Sequence, residues 1–140
     1  MFLVRLVYAS RVSDSLSTDD VAQILEHSRG NNRSNDVSGL LCFNHEYFLQ
    51  CLEGSRARVN ALYQRILGDT RHQDILLLSY GEITERNFGR WSMGYIPASS
   101  IIRETTMRFS GKSDFNPYEM TGDSAHALLA ELARNTPTLE

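Results

Sequence analysis

Val-Ser-Gly-Leu-Leu-Cys-Phe-Asn-His-Glu-Tyr-Phe-Leu-Gln-Cys-Leu-Glu-Gly, residues 37–54, is two runs of strand-forming residues joined by a short polar connection. Residues 37–43 read as one strand and 47–53 as the next, with Asn44-His45-Glu46 as the hairpin between them. A helical pattern followed or preceded by a further strand flanks the hairpin on each side. The order is therefore βαββαβ, which predicts an α+β, ferredoxin-like fold.

Upstream, residues 2–9 (Phe-Leu-Val-Arg-Leu-Val-Tyr-Ala) form the first strand. Alternation places Phe2, Val4, Leu6 and Tyr8 on one face and Leu3, Arg5 and Val7 on the other. Both faces are largely apolar, so this strand is expected to be central and covered on both sides, with Tyr8 at its end. Ser17 is the N-cap of the first helix, with Asp19 and Asp20 in its first turn and Leu16 and Val21 spaced as a hydrophobic staple. Its apolar stripe is Val21, Ile24, Leu25 and Ser28, and Gly30-Asn31-Asn32 are expected to stop it.

Downstream, Gly54-Ser55 open a second helix with the stripe Val59, Leu62, Tyr63, Ile66 and Leu67. Residues 75–81 make the fourth strand, and residues 91–96, ahead of Pro97, make an additional fifth. A short helix within 99–109 and a last helix, N-capped by Asp123 with the stripe Ala125, Leu128, Leu129 and Leu132, form a C-terminal helical extension. This divides the chain into a sheet domain, 1–97, and a helical cap, 98–140. The cap is expected to cover the face of Leu3, Arg5 and Val7.

The chain has 140 residues, 41% hydrophobic and 22% charged, enough for one sizeable core. Fourteen basic against seventeen acidic residues leave a net charge of −3, which speaks against a basic nucleic-acid clamp and any direct nucleic-acid partner. No stretch approaches the ~18 apolar residues of a spanning helix, so no membrane association is expected. Arg5 interrupts the apolar start, which does not read as a signal peptide. Cys42 and Cys51 lack CxxC spacing and read as two buried thiols in a reducing cytoplasm. P-loop, GxSxG, HExxH and Rossmann patterns are missing, and His27, His45, His72 and His126 show no ligand spacing, so no metal site is expected.

Three polar features stand out on this framework. Tyr8 carries a hydroxyl into the helix-facing side of the sheet, where it needs a partner. Gln50 shares a strand face with Phe48 and Leu52, and its amide has donors and an acceptor to satisfy. Asn31-Asn32 provide two carboxamides at the mouth of the first helix. A flat ligand held between the two helices would meet all three, in a mostly apolar pocket with a few directed polar groups.

Val-Tyr-Ala-Ser (7–10), Asn31-Asn32, Ser-Gly-Leu-Leu (38–41), Phe-Leu-Gln-Cys-Leu-Glu-Gly (48–54), Asp69-x-Arg71-His72 and Trp91-x-Met93 together resemble the BLUF domain, over residues 2–97. This is a family of flavin-binding blue-light sensors with a ferredoxin-like fold. The resemblance implies non-covalently bound FAD or FMN and no enzymatic activity. Tyr8 matches the photoactive tyrosine that passes an electron and a proton to the excited flavin. Gln50 matches the glutamine that links this tyrosine to the flavin and rearranges or tautomerises in light. Asn32, with Asn31, matches the residues at the pyrimidine end of the ring, and Ile24 and Ile66 match the aliphatic pair that sandwiches it. Ser28, Phe48, Leu52 and Arg65 fall in the same cofactor surroundings, and Asp69, Arg71 and His72 match positions near the ribityl-phosphate.

Trp91 and Met93 match the signalling positions of the last strand. Alternation places both on one face, and which of them turns to the flavin is left open. Cys51 stands where the family often carries a bulkier residue. The residues after 97 are too few for a cyclase, an EAL-type phosphodiesterase or a helix-turn-helix output. The resemblance is thus to the short class, which acts through an unidentified downstream signalling protein or through self-association as a homo-oligomer. The competing readings are a ferredoxin-like regulatory, ligand-binding module without photochemistry and a flavin-dependent oxidoreductase, for which no pyridine-nucleotide motif is present.

Overall fold

A computed structural model of the chain describes residues 2–13, 17–44, 46–101 and 103–135. Its strands are β1 (Leu3–Val12), β2 (Ser38–Phe43), β3 (Tyr47–Ser55), β4 (His72–Glu82) and β5 (Gly94–Pro97). Its helices are α1 (Thr18–Asn35), α2 (Arg56–Leu67), α3 (Arg103–Phe109) and α4 (Gly122–Asn135). The five strands form one sheet in the order β4-β1-β3-β2-β5. β1 runs antiparallel to both β3 and β4, β2 runs antiparallel to β3, and β5 joins β2 in parallel. This is the ferredoxin-like order with one strand added at the β2 edge.

The apolar character of both β1 faces has its explanation in two cores. On one side Val4, Leu6 and Tyr8 pack with Phe48 and Leu52 of β3 beneath Val21, Ile24 and Leu25 of α1 and Val59 of α2. On the other side Val7, Leu40, Cys42, Leu49 and Cys51 pack beneath Ala125, Leu128, Leu129 and Leu132 of α4. The C-terminal helix therefore covers the face away from α1 and α2, as expected from Val7. Burial of each leucine-sized side chain is worth about 1.5–3 kcal/mol, so α4 contributes to the stability of the sheet itself. Cys42 and Cys51 are free thiols within this second core, and burial pushes Cys42 up to about 12.

Local signals place the helix starts. Ser17 and Asp20 form a reciprocal capping box: the Asp20 amide donates to Ser17 Oγ at 3.2 Å and the Ser17 amide to Asp20 Oδ2 at 2.8 Å. Ser55 caps α2 through the Arg58 amide. Leu16, half of the expected staple, and His45 of the hairpin lie outside the described residues.

Several boundaries differ from the sequence expectation. Helix α1 does not stop at Gly30-Asn31-Asn32 but continues to Asn35, where Asp36 takes the left-handed conformation (φ 56°) and donates its amide to Asn32 O. Ser34 and Asn35 bond back to the carbonyls of Gly30 and Asn31, and the Asn32 side chain is buried, so tertiary contacts override a weak local preference. β1 extends to Val12, which puts Tyr8 in mid-strand rather than at its end, and β4 begins at His72 rather than 75. Leu67 is exposed at the end of α2 instead of completing its buried stripe. In α4 the capping side chain is Thr121, whose Oγ1 accepts from the Ser124 amide at 3.0 Å, and not Asp123, which lies inside the helix.

The fifth strand begins at Gly94, not at Trp91. The Trp91 amide closes a turn onto Phe88 O at 3.1 Å, so residues 91–93 are not extended ladder and strand alternation does not govern them. Trp91 and Met93 accordingly do not share a face. Met93 is buried in the core under α1 and α2, whereas Trp91 packs against the core under α4.

Candidate functional site

The space between α1, α2 and the sheet is a cavity lined by fifteen residues. Its helical walls carry Ile24 and Ser28 from α1 and Leu62 and Ile66 from α2, and its floor carries Tyr8, Leu41, Phe48 and Gln50 from three adjacent strands. Asn31 and Asn32 stand at one end, with Arg65, Asp69, Arg71 and His72 at the side where α2 leads into β4. Of the twelve residues assigned to a cofactor from the sequence, eleven line this cavity. Leu52 does not; it lies fully buried in the core below.

The floor contains a hydrogen-bonded chain. Tyr8 and Gln50 are cross-strand partners in the β1–β3 ladder, and the Tyr8 hydroxyl donates to Gln50 Oε1. Gln50 Nε2 in turn donates to Met93 Sδ at 3.3 Å. All three side chains are buried. Burial pushes the Tyr8 phenol far above its ordinary value, with Tyr63 and Asp69 acting in the same direction, so Tyr8 is held as the neutral donor. Of Trp91 and Met93, it is Met93 whose side chain reaches Gln50. A Cβ on Gly39 would lie 3.1 Å from Met93 Cε and 2.1 Å from Cys51 O, so the methionine occupies space that only glycine leaves open.

At the polar end, Asn32 is 1% exposed and its Nδ2 donates to Ser92 O at 2.6 Å. One buried carboxamide thus borders both the cavity and the segment that carries Met93. The Asn31 amide lies 3.1 Å from His27 Nε2, one helical turn away.

At the α2–β4 end, Arg71 grips Asp69 with Nε on Oδ1 at 3.0 Å and a terminal nitrogen on Oδ2 at 2.6 Å. This hydrogen bond holds the Asp69 carboxyl below its ordinary range and raises Arg71. His72 turns inward instead. Its ring packs on Phe48 with centroids 4.6 Å apart, and Nδ1 shares a 2.7 Å hydrogen bond with Ser10 Oγ. Burial lowers its pKa to about 4, so at neutral pH His72 offers a ring surface and no charge.

Sequence reasoning missed His27, Leu41 and Leu62 as lining residues. Each carried a signal: Leu62 belongs to the α2 stripe, Leu41 pairs with Gln50 in the β2–β3 register, and His27 precedes Asn31 by four residues. It also missed Glu53. This buried carboxylate accepts from the amides of Asn87 at 2.7 Å and Phe88 at 2.9 Å and from Ser38 Oγ at 3.2 Å. It thereby anchors the turn that leads to Trp91.

The donor set suits a flat, partly polar ring system. There are aliphatic walls on both sides, carboxamides at one end, a phenol–amide chain along one edge, and arginines toward the other end for an anionic tail. Among the described residues there is no group of three or more His, Cys, Asp or Glu placed to hold a metal ion, and no helix is long and apolar enough to cross a membrane.

A small α+β module with such a cavity is built to hold one flat ligand between its two helices and the sheet. The family model described as sensors of blue light using FAD matches residues 3–94, and the chain belongs to this BLUF family, whose ligand is a flavin. It is similar to the blue light- and temperature-regulated antirepressor BluF of Escherichia coli (strain K12), 32% identical over 121 residues that make up 86% of this chain and 30% of that protein. It is also similar to the photoactivated adenylate cyclase subunit alpha of Euglena gracilis, 33% identical over 87 residues, 62% of this chain and 8% of that one. The chain therefore spans under a third of the first relative's length and under a tenth of the second's. Among solved structures, BlsA in its photo-activated state is 31% identical with a TM-score of 0.89 over 99% of both chains. BlrB in its dark state is 30% identical with a TM-score of 0.78 over 97% of this chain and 98% of that one.

Proposed function

We propose that this chain senses blue light through a flavin held in the α1–α2 cavity, and that the Tyr8–Gln50–Met93 chain is its switch. A bound flavin supplies blue absorption and, once excited, an acceptor for one electron. Tyr8 is the residue we assign to give that electron together with its phenolic proton, both returning in the dark, because its phenol is neutral, buried and already hydrogen-bonded toward Gln50. Gln50 presents an acceptor to Tyr8 and a donor to Met93. Rotation or tautomerisation of its amide would change which of these ends donates and which accepts, and so give a second hydrogen-bond arrangement. Two such states, biased by one photochemical event, make a switch.

The cofactor positions follow the same logic. Ile24 and Ile66, with Leu62, hold the ring faces, and Phe48, Ser28 and His72 border it. Asn32, whose nitrogen is committed to Ser92, would have its oxygen left for the ring's imide end, with Asn31 beside it. Arg65 and Arg71 would meet the phosphate, Arg71 through the guanidinium nitrogen that its pairing with Asp69 leaves over. We assign the flavin as FAD, the ligand in the family's description.

Residues 1–97 form the flavin-binding unit and 98–140 the cap that carries the output. The output is a change in contact with a downstream protein or with a second copy of the chain, and the chain itself is not an enzyme. The buried chain from Tyr8 through Gln50 to Met93, with Tyr8 and Gln50 lining the cavity, is the observation that supports this reading. Purification is the direct test. The protein should be yellow, release FAD on denaturation, and show a small reversible red shift in blue light. Protein that stays colourless after incubation with FAD and FMN would overturn the assignment.

A further inference from the structure

The three residues ahead of β5 are held without a ladder. Trp91 O accepts from the Gly39 amide at 3.2 Å, Ser92 O from Asn32 Nδ2 at 2.6 Å, and Met93 O from Arg29 Nε at 3.0 Å. Regular pairing begins only at Gly94, opposite Leu40. Two of the three donors are thus side chains of α1, three residues apart on one face of a helix that also walls the cavity. Met93 is consequently gripped twice, at its sulfur by Gln50 and at its carbonyl by Arg29.

The two grips are unequal. A thioether is a weak acceptor on a flexible side chain, whereas a guanidinium N–H on a carbonyl is charge-assisted. Gln50 alone therefore does little to fix the Met93 main chain. We propose that Arg29 is a positioning residue of the switch: its hydrogen bond to Met93 O holds the methionine where Gln50 reaches the sulfur, and governs how fast that arrangement returns after light. This rests on the light-sensing reading above. Asn32 and Gly39 keep hold of the neighbouring carbonyls, so loss of Arg29 frees Met93 locally without unfolding the sheet.

The test uses the full chain labelled with 13C at methionine methyls, as wild type, Arg29→Ala, Arg29→Lys and Arg33→Ala. Arg33 is the control, because it is exposed and bonds the Ser92 hydroxyl, at a long 3.5 Å, and not the Met93 carbonyl. The Met93 methyl, assigned by Met93→Leu, should shift and broaden in Arg29→Ala, with or without flavin bound, and stay in place in Arg33→Ala. Flavin content and dark spectrum should not change. Dark recovery after a blue flash should slow threefold or more in Arg29→Ala, with Arg29→Lys between it and wild type. If Arg29→Ala fails to fold, Arg29→Gln, which keeps the stem, carries the test. An unmoved Met93 methyl with recovery within 1.5-fold of wild type, or equal effects in Arg33→Ala, would overturn the proposal. Wild-type protein that binds flavin but shows no light-induced shift would instead overturn the sensing reading, and with it the role of Arg29 in the switch.

Discussion

Tyr8 and Gln50 stand opposite each other in the β1–β3 ladder, and the buried phenol donates to the buried amide oxygen. Either side chain alone would leave a desolvated polar group. Gln50→Leu should therefore destabilise the flavin-free protein by about 1–3 kcal/mol, because Tyr8 loses its acceptor in a dry core. Adding Tyr8→Phe should recover most of that loss. Urea unfolding of the two single variants and the double variant gives the coupling directly, and additive losses would show that the pair is not energetically linked.

Acid should weaken the fold earlier than its carboxylates alone would. Burial lowers His72 and His126 to about 4, against an unfolded value near 6.5. Between these values the unfolded chain binds protons that the folded chain refuses. The stability tied to both rings is complete above pH 6.5 and is lost as pH falls toward 4. Each ring adds a slope of at most about 1.4 kcal/mol per pH unit, and solvent access keeps the loss below that ceiling. Unfolding midpoints at pH 7.5, 6 and 5 should decline steadily, with a shallower decline in His72→Asn. Ring resonances of His72 titrating near 6.5 in the folded protein would contradict this.

The cap is seated as closely as the core. A Cβ on Gly122 would lie 2.2 Å from Leu78 O and 2.8 Å from Ser79 Cβ, so α4 starts against the β4 backbone where only glycine fits. Gly122→Ala should cost about 1–3 kcal/mol by forcing the helix away from the sheet. Limited proteolysis should then cut the C-terminal region sooner than in wild type. Wild-type resistance and stability would mean that α4 is not docked there.

The turn before Trp91 hangs on one carboxylate. Glu53→Ala strands the Asn87 and Phe88 amides and should destabilise the protein by several kcal/mol, a hydrogen bond to a charged group being worth about 1.5–3. Glu53→Gln keeps one acceptor oxygen and should lose about half as much. Amide exchange at Asn87 and Phe88 locates the effect: it should accelerate most in the alanine variant.

Much of this architecture was legible in the chain because it rests on local periodicity. The hairpin at 37–54 and the alternation along residues 2–9 report strands covered on both faces, the stripe through Leu128, Leu129 and Leu132 reports a helix covered on one, and the structure has those faces. Gln50 stood out because a carboxamide interrupts an apolar face. The misreadings fall where long-range contacts decide. Asn32 looks like a helix stop until Ser92 is seen to take its amide. Trp91 and Met93 look like alternating strand residues until the turn at Phe88 separates them. Arg29 and Glu53 give no local signal, since the Met93 carbonyl that Arg29 holds lies 64 residues away and the two amides that Glu53 holds lie 34 and 35 residues away, all of them backbone groups, which every sequence has.

The central claim is that light is read through Tyr8. The most direct measurement is the blue-light difference spectrum of flavin-loaded wild type and Tyr8→Phe, with flavin content matched. Wild type should give a small red shift that reverses fully in the dark, and Tyr8→Phe, with the same bound flavin, should give none. A Tyr8→Phe protein that produces the same reversible shift would contradict the account.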